Sequence, residues 1–540
     1  GSVILLTGEP GIGKTRLLEE LAGLAVARGA HVLTARCHEL EQNVAYAPII
    51  EALRPALRVE PATFNDLLPA WLAAVTELLP ELRRHFPNLP PYHPLPPDEE
   101  RTRLLAALAQ AIAGPQDRPR LFLLDDLHWA DPSTLQLFSY LGRQASDRSL
   151  LLVGTYRSTE VGPQHPVFAL RAALTRQGAL TELVLPAFRE ADVILLLYIM
   201  GSEERSEGLG RRLHRDTEGN PFFVAEVLHT LVQEGLISLD TKGRWRTASD
   251  EVTDSYQELL LPPSVRAAVL GRLHRLSPDD RHLLDMASVI GREFSPALLA
   301  QLSDQPETVL IERADRLVAR GFLRLSPEGS YEFSHELMRR AAYDALNEPR
   351  RRLHHRQIAD GLLALCTRPL AEVAGRLATH YAASDRPWLA LEHALVAAEQ
   401  AAKIAAYDEA IAWCEQATAI AEAHPIAVPP GFRTRLQLQW RALWYYGGDL
   451  QRTLEADRTA LAAARREKDA AAELQALWHL AHDETQLIAG GQPGVLEQAL
   501  NLAKGLGDPA ALARSLARLG SDAGFLASPP EREQALNYLE

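Results

Sequence analysis

The chain has 540 residues, too many for one hydrophobic core, so roughly three or four domains are expected. Apolar residues make up 47% of it, and Ala, Leu and Arg dominate, the composition of a helix-rich globular protein. A formal net charge of −14 argues against wholesale binding to nucleic acid or to a membrane surface.

Cys37, Cys366 and Cys414 are far apart and lie in no CxxC or Cys/His pattern. That excludes a disulfide framework and a zinc site, and it fits a reducing, cytoplasmic compartment. The longest apolar runs, such as "VILLLYIM", fall well short of the ~20 residues a membrane span needs. No signal peptide is visible, and the start directly on an apolar strand points to a fragment of a longer protein.

In chain order, "SVILLT" reads as a buried strand. "GEPGIGKT", Gly8 to Thr15, follows, and then a helix ending at Gly29. This is G-x-x-x-x-G-K-[ST] in its required strand–loop–helix setting. Gly8, Gly11 and Gly13 let backbone N–H groups close around phosphate oxygens, and the helix N-terminus adds positive partial charge. Lys14 is placed to reach the β- and γ-phosphates and Thr15 to ligate Mg2+. A leucine-rich helical insert, residues 40–98, breaks into "FPNLPPYHPLPP", whose prolines predict a loop.

The second acidic strand is "RLFLLDDLHWADPS". Asp125 would hold the Mg2+ water shell, and Asp126 would orient or deprotonate the attacking water. Asp131 followed by Pro132 reads as an N-cap and first helical residue, with His128 and Trp129 packing the strand–helix corner. "SLLLVGTY" is a further strand ending at Arg157, which either meets the γ-phosphate or is an ordinary surface arginine. "LTELVLPAF" reads as a fifth strand. In "GNPFFVAEVLHTLVQEG", Asn220 caps a helix, Pro221 starts it and Gly235 ends it.

Residues 262–347 alternate caps and helices, two of them opening with Ser-Pro, and then form a hairpin with its turn at Pro327–Gly329. Helices followed by a hairpin predict a winged helix. Residues 262–344 carry 11 Arg and no Lys against 12 acids, a poor balance for tracking phosphates, so a regulatory role is expected over DNA reading. From about residue 370 the chain is helix after helix. "KDAAAELQALWHLA" (468–481) aligns with "GDPAALARSLARLG" (507–520) at an offset of 39, and Gly447–Gly448 repeats as Gly490–Gly491 at 43. Ala410, Cys414, Ala417 and Ala421 share one helix face. The period predicts a helical-pair solenoid with a concave binding surface.

Five motifs in order, "GEPGIGKTRLLEEL", "FLLDDLHWADPSTL", "LLLVGTYRSTEV", "TEGNPFFVAEVL" and "YEFSHELMRRAAYDAL", resemble the STAND class of P-loop ATPases. The branch they resemble is the ATPase core of large LuxR-type regulators and of cyclase- or kinase-linked sensors. The resemblance covers about residues 1–350 by motif, and the remainder resembles TPR-like sensor arrays. It implies ATP or ADP with Mg2+ as cofactor. Gly8, Glu9, Pro10, Gly11, Ile12, Gly13, Lys14 and Thr15, with the adjoining Arg16, would form the nucleotide loop. Thr15 and Asp125 would hold Mg2+, and Lys14, Asp125, Asp126 and the sensor-1 Arg157 would be catalytic. Pro221, in the Gly-x-Pro motif, would lie against adenine. His335 resembles the winged-helix histidine that touches the β-phosphate in the closed ADP state. Here Ser334 and Glu336 replace that motif's Met and Asp, and read without the resemblance His335 is a core histidine.

The expected architecture is therefore multidomain α/β plus α. It comprises a parallel-sheet P-loop (AAA+/STAND-like) ATPase domain (1–187), a helical lid (188–261), a winged helix (262–348) and a TPR-like α-solenoid (349–540). The implied function is a switch: slow ATP hydrolysis, a small-molecule or protein inducer on the repeats, self-association in the ATP state, and DNA reached only through an output domain outside this chain. The rivals are an origin-recognition or clamp-loader-like AAA+ ATPase acting on DNA and a catalytically weak interaction scaffold.

Overall fold

The computed structural model describes residues 1–59, 64–65, 67–93, 95–114, 118–200, 206–233, 237–239, 245–247, 265–303, 305–326, 329–366, 369–487 and 493–506. They group into two compact units. The first comprises Gly1–His93, Thr102–Thr367 and Ala383–Asp385, the second Pro94–Arg101, Arg368–Ala382 and Arg386–Glu540.

The first unit opens with a five-stranded parallel sheet of β1 (Ser2–Thr7), β2 (His31–Arg36), β3 (Arg120–Asp125), β4 (Leu150–Tyr156) and β5 (Leu180–Val184), in the order β2-β3-β4-β1-β5. Every residue of β3 is buried, as a strand covered on both faces requires. The connecting helices are α1 (Lys14–Ala27), α2 (Ala47–Val59), α3 (Pro69–Val75), α4 (Leu82–His85), α5 (Pro97–Ala113), α6 (Pro132–Gln144) and α7 (Pro166–Arg176). Helices α2 to α4 fall in the predicted insert, followed by its proline loop. Asp131 caps α6 as expected, its Oδ1 accepting from Thr134 N–H at 2.8 Å, with Pro132 at the first position. The strand His31–Arg36 was not among the predicted elements.

Then come α8 (Glu190–Ile199), α9 (Ser206–Thr217), α10 (Pro221–Gln233) and a two-stranded pair, β6 (Ile237–Leu239) with β7 (Trp245–Thr247). The predicted helix end at Gly235 lies outside the described residues. The rest of the first unit is α11 (Val265–His274), α12 (Pro278–Ile290), β8 (Glu293–Phe294), α13 (Pro296–Leu302), α14 (Glu307–Ala319), β9 (Leu323–Leu325), β10 (Tyr331–Phe333), α15 (Glu336–Ala345) and α16 (Glu348–Ala364).

Both Ser-Pro signals hold: Ser277 and Ser295 cap α12 and α13, accepting from Asp280 and Leu298 N–H. β9 and β10 pair antiparallel with β8 added outside β10, which is the helices-then-hairpin order expected. Pro327 and Glu328 of its turn lie outside the described residues. Leu284, Leu299, Leu317, Phe322 and Phe333 fill the core beneath, joined by Ile358 of α16.

In the second unit α17 (Leu370–Ala382), α18 (Ala390–Lys403), α19 (Tyr407–Ala423), α20 (Phe432–Tyr446), α21 (Leu450–Glu467), α22 (Ala470–Leu487) and α23 (Pro493–Leu506) each pack on the next. Ala410, Cys414, Ala417 and Ala421 are buried together on α19, so the small-residue face is the packing face. Burial pushes the Cys414 thiol up to about 12, which leaves it an inert packing group. The second copies of the predicted repeat, 507–520 and Gly490–Gly491, lie outside the described residues. No described helix is long and apolar enough to cross a membrane.

Candidate nucleotide-binding site

The sheet brings the chemistry to the carboxyl ends of its strands, where open parallel sheets place their ligands. β1 runs into the loop Gly8–Thr15. The backbone is left-handed at Gly11 (φ +83) and Gly13 (φ +102). A Cβ at Gly11 would meet Asn220 Oδ1 and Phe222 Cβ, each at 2.9 Å, whereas one at Gly13 would project into open space. The loop is thus pressed against α10 on one side and open on the other. Asn220 Nδ2 donates to Pro10 O at 2.9 Å and Phe222 N–H to Gly11 O at 3.2 Å, which sets Pro221 beside the loop. Ile12 is buried, and Glu9 and Arg16 are exposed. The Arg16 side chain turns along α1 to pair with Glu20.

Lys14 is buried, and its ammonium donates to the carbonyls of Gly8 at 2.7 Å and Glu9 at 2.9 Å. Burial pulls its pKa down to about 8, against the opposing pull of Asp126. Thr15 Oγ1 donates to Asp125 Oδ2 at 2.7 Å, and Thr155 Oγ1, on β4, donates to Asp125 Oδ1 at 2.5 Å. Burial would raise the Asp125 pKa, but Arg36 and these hydroxyls hold it well below the usual carboxylate range. Asp126 adopts a left-handed conformation (φ 57), its N–H donating to Thr155 Oγ1 at 2.9 Å. Burial, then the neighbouring Asp125, push the Asp126 carboxyl up to about 6.

Arg157 follows β4. Its Nε is 3.9 Å from Asp126 Oδ1, its Nη1 donates to Glu160 at 2.7 Å, and its guanidinium lies 4.6 Å from the centre of the Trp129 ring. This is a buried, site-facing arginine rather than a surface one. His128 and Trp129 are buried at the corner, as the sequence suggested.

His335 caps α15, its Nδ1 accepting from Leu337 N–H at 3.2 Å, and its ring stacks on Phe222 with centroids 4.0 Å apart. Burial and the nearby charges of Arg292, Arg157, Arg36 and Lys14 pull its pKa down to about 3, so it is a neutral ring near the cluster of cations. His335 is half-buried and packs on Phe222, the residue whose N–H donates to the loop.

Two arginines here were missed. Arg36 ends β2, and the parallel register sets it opposite Asp125. Its Nε donates to Asp125 Oδ2 at 2.9 Å, and Nη2 bonds the same oxygen. Arg292, after α12, brings Nη1 to 3.9 Å from Asp126 Oδ2. Further ion pairs join the sheet region to residues 292–340: Arg339–Glu39 at 2.9 Å, Arg324–Glu19 at 3.1 Å, Arg340–Glu160 at 3.7 Å and Arg36–Glu332 at 3.9 Å. Glu332, on β10, thus faces Arg36 and Arg324.

The donor set fits a magnesium nucleotide. A threonine hydroxyl and a carboxylate lie within 2.7 Å of each other beside a loop whose Gly13 leaves space. No described group of three or more His, Cys, Asp or Glu forms a metal site of its own, so Mg2+ here would draw its other ligands from phosphate and water.

Residues 1–153 match the sequence model of the AAA ATPase domain. The chain begins with an AAA-type ATPase domain. Residues 189–243 match a domain of unknown function. An uncharacterized protein of Rhizobium meliloti (strain 1021) is 26% identical over 383 residues, 66% of this chain and 34% of that protein, so the chain spans about a third of its curated relative.

Among solved structures, a Signal Transduction ATPase with Numerous Domains (STAND) protein with a tetratricopeptide repeat sensor from Pyrococcus horikoshii aligns over 100% of this chain and 81% of its own, at 14% identity and TM-score 0.40. Thermotoga maritima RuvB covers 61% of this chain and 84% of its own, at 15% identity and TM-score 0.24. Drosophila ORC bound to GC-rich DNA and Cdc6 covers 63% and 84%, at 10% identity and TM-score 0.19. Among the described residues, the AAA ATPase domain carries a five-stranded parallel sheet and is followed by many helices.

Proposed function

We propose that this chain is the core of an ATP-dependent signalling switch. The observation that carries the reading is the setting of Asp126. Arg36 and Arg157 of the ATPase domain and Arg292 of the helical lobe beyond it all lie within 4 Å of its carboxylate. A change of charge at this point therefore changes how tightly the two lobes hold each other.

In this reading the backbone of Gly8–Thr15 cradles the phosphates, and Lys14 leaves the Gly8 and Glu9 carbonyls for the β- and γ-phosphates. Thr15 and Asp125 hold Mg2+, which, when bound, neutralises charge on the transferring phosphoryl group. Asp126 orients the attacking water and takes its proton, and Arg157 reads the terminal phosphate. Pro221 packs on the base, and His335 lies at the β-phosphate. Residues 262–348 act as a winged helix that clamps the ATPase domain, and α17 to α23 receive the inducer.

Inducer binding acts by differential affinity. Moving a 1:99 population to 99:1 takes about 5.5 kcal/mol. A solenoid interface supplies that with a few anchor residues at ~2 kcal/mol or more each. The open form self-associates, slow hydrolysis resets it, and transcription control or another output lies outside this chain. The DNA-acting alternative is disfavoured by the acidic balance of 262–344 and by Glu332 being engaged within the lobe contact.

The test is equilibrium titration with ADP and a non-hydrolysable triphosphate, each with Mg2+, alongside small-angle scattering. Lys14→Ala is expected to abolish binding, and the triphosphate to expand the wild-type chain relative to ADP once inducer is supplied. Identical shape and self-association with the two nucleotides would refute the switch.

A further inference from the structure

In the second unit α19 and α21 both pack on α20 and leave a cleft of about 460 Å3 between them. The sequence accounts for the opening. The connector 424–431, "HPIAVPPG", is longer than the ~2–5 residues of a tight helix hairpin, so α19 is not drawn close to the pair that follows. Ala421, Ala462 and Ala463 line the walls where longer side chains would fill the space, and buried Leu436 adds to an apolar floor.

The polar lining is cationic. Arg433, in the first turn of α20, and Arg458 and Arg466, on one face of α21, bring three guanidinium groups to the cleft against one carboxylate, the exposed Glu422. That is a local excess of positive charge on a chain whose formal net charge is −14. A recess lined by one sign of charge concentrates ligands of the other.

The donors there are mostly unspent. Arg433 gives one N–H to Ala421 O at 3.3 Å, Arg458 gives one to Glu484 Oε1 at 3.2 Å, and Arg466 makes no hydrogen bond or ion pair among the described residues. Each guanidinium carries five N–H groups. The hydroxyls are committed elsewhere: Thr418 donates to Cys414 O and Thr459 to Glu455 O, each at 2.7 Å. The free hydrogen-bonding capacity of the cleft is therefore on the donor side, which suits carboxylate and phosphate oxygens and not a neutral polyol. Its volume is that of a small-molecule site.

We propose that the cleft between α19 and α21 binds a small organic anion, a carboxylate or a phosphate ester, and is the seat of the inducer. The body of the ligand rests on Leu436 and the alanines, and Arg433, Arg458 and Arg466 take its charged groups. The site stands on its own geometry, whereas its effect on nucleotide rests on the switch reading above.

The experiment is calorimetric titration of the full chain, its nucleotide site first filled with Mg2+ and ADP, using glucose 6-phosphate, succinate and glucose as probes. At least one of the two anions is expected to bind with a dissociation constant of about 1 mM or below, and glucose is not. Comparing glucose 6-phosphate with succinate separates a phosphate reader from a carboxylate reader. Arg433→Gln with Arg466→Gln is expected to weaken the anion about tenfold or more and to change ADP affinity by less than about twofold. Thermal melts verify folding, and Arg466→Gln alone, at an exposed side chain, carries the test if the double variant is unfolded. No binding of either anion, equal binding of glucose, or an unaltered anion affinity in the variants would overturn the site while leaving the nucleotide reading intact. The bound anion is also expected to shift the ratio of tri- to diphosphate affinity by about twofold or more, and an unmoved ratio would overturn the cleft as the seat of the inducer. A wild-type chain that took the anion but no nucleotide would refute the switch and uphold the site.

Discussion

Arg36 and Asp125 end adjacent parallel strands in register, and two N–H groups of Arg36 converge on a single oxygen of Asp125. That oxygen is also the one that accepts from Thr15. The arginine thus fixes the carboxylate on the side away from Thr155, which bonds the other oxygen, and leaves Asp125 no freedom to rotate. Outer partners of this kind orient a metal-binding group as effectively as the ligands themselves.

Arg36→Gln is expected to raise the Mg2+ concentration needed for half-maximal triphosphate binding by roughly 10–100-fold. Nucleotide binding in excess chelator is expected to change little. A titration of Mg2+ at fixed nucleotide checks this, and an unchanged midpoint would show that Arg36 only holds the strands together.

The pH profile of the proposed hydrolysis, with Asp126 as its base and Lys14 as its phosphate-binding cation, follows from these two neighbouring groups. Burial and Asp125 push Asp126 up to about 6, and as a base it works only when ionised, so kcat/KM rises through that pH. Burial pulls Lys14 down to about 8, and as a cation it works only when protonated, so kcat/KM falls above that pH in the free protein. The expected profile is a bell with limbs near about 6 and about 8. Asp126→Asn is expected to keep triphosphate binding, lose the acid limb and slow turnover about tenfold or more. A flat profile in the wild type, or equal turnover in the variant, would acquit Asp126.

Much of this site was legible because its motifs are local. Gly8–Thr15 and Asp125–Asp126 each declare themselves within a few residues, and Asp131–Pro132 announces a helix start by composition alone. Arg36 was not legible. Its strand, "HVLTAR", lies at the sheet edge with alternating burial and no motif, and the pairing with Asp125 is created by register between segments 89 residues apart. Arg292 is harder still, because it reaches Asp126 only through the docking of a separate lobe. Glu332 lies on β10, but its use, facing Arg36, belongs to that docking and not to the hairpin.

The lobe contact has one heavily engaged anchor. Arg339 donates to Glu336 at 2.7 Å, to Ser288 O at 3.0 Å and to Glu39 at 2.9 Å. Arg339→Ala leaves Glu336, which is buried, without its cation, and such a loss costs about 3–5 kcal/mol. Glu19→Ala removes a half-exposed pair with Arg324 and is expected to cost about 0–1 kcal/mol. Urea unfolding of the two variants checks the contrast, and equal midpoints would remove Arg339 from this role.

His335 tests the link between that lobe and the loop. Its ring stacks on Phe222, whose N–H donates to Gly11 O. His335→Ala is expected to speed ADP dissociation about two- to tenfold, the equivalent of one lost aromatic contact. Stopped-flow displacement of a fluorescent ADP reads this directly. An unaltered rate would return His335 to a purely structural place in the core.

In the repeats, Arg441 holds Asp483 with Nε at 2.9 Å and Nη2 at 2.8 and 2.6 Å, and Asp457 is fully buried beside them. Burial and the neighbouring Asp483 carboxylate push Asp457 up to about 8, so at neutral pH it is a neutral acid. Its folded pKa lies above the ordinary aspartate value of 3.8. The stability it contributes is therefore fully present below that value and is lost as pH rises through about 8. Asp457→Asn keeps a neutral hydrogen-bonding group of the same shape and does not titrate. The melting temperature of the variant relative to wild type is expected to climb between pH 5 and 8 and to level off above. Scanning calorimetry at four or five pH values decides it: parallel curves would mean that Asp457 is already ionised in the folded repeats, with Arg441 shared between two carboxylates.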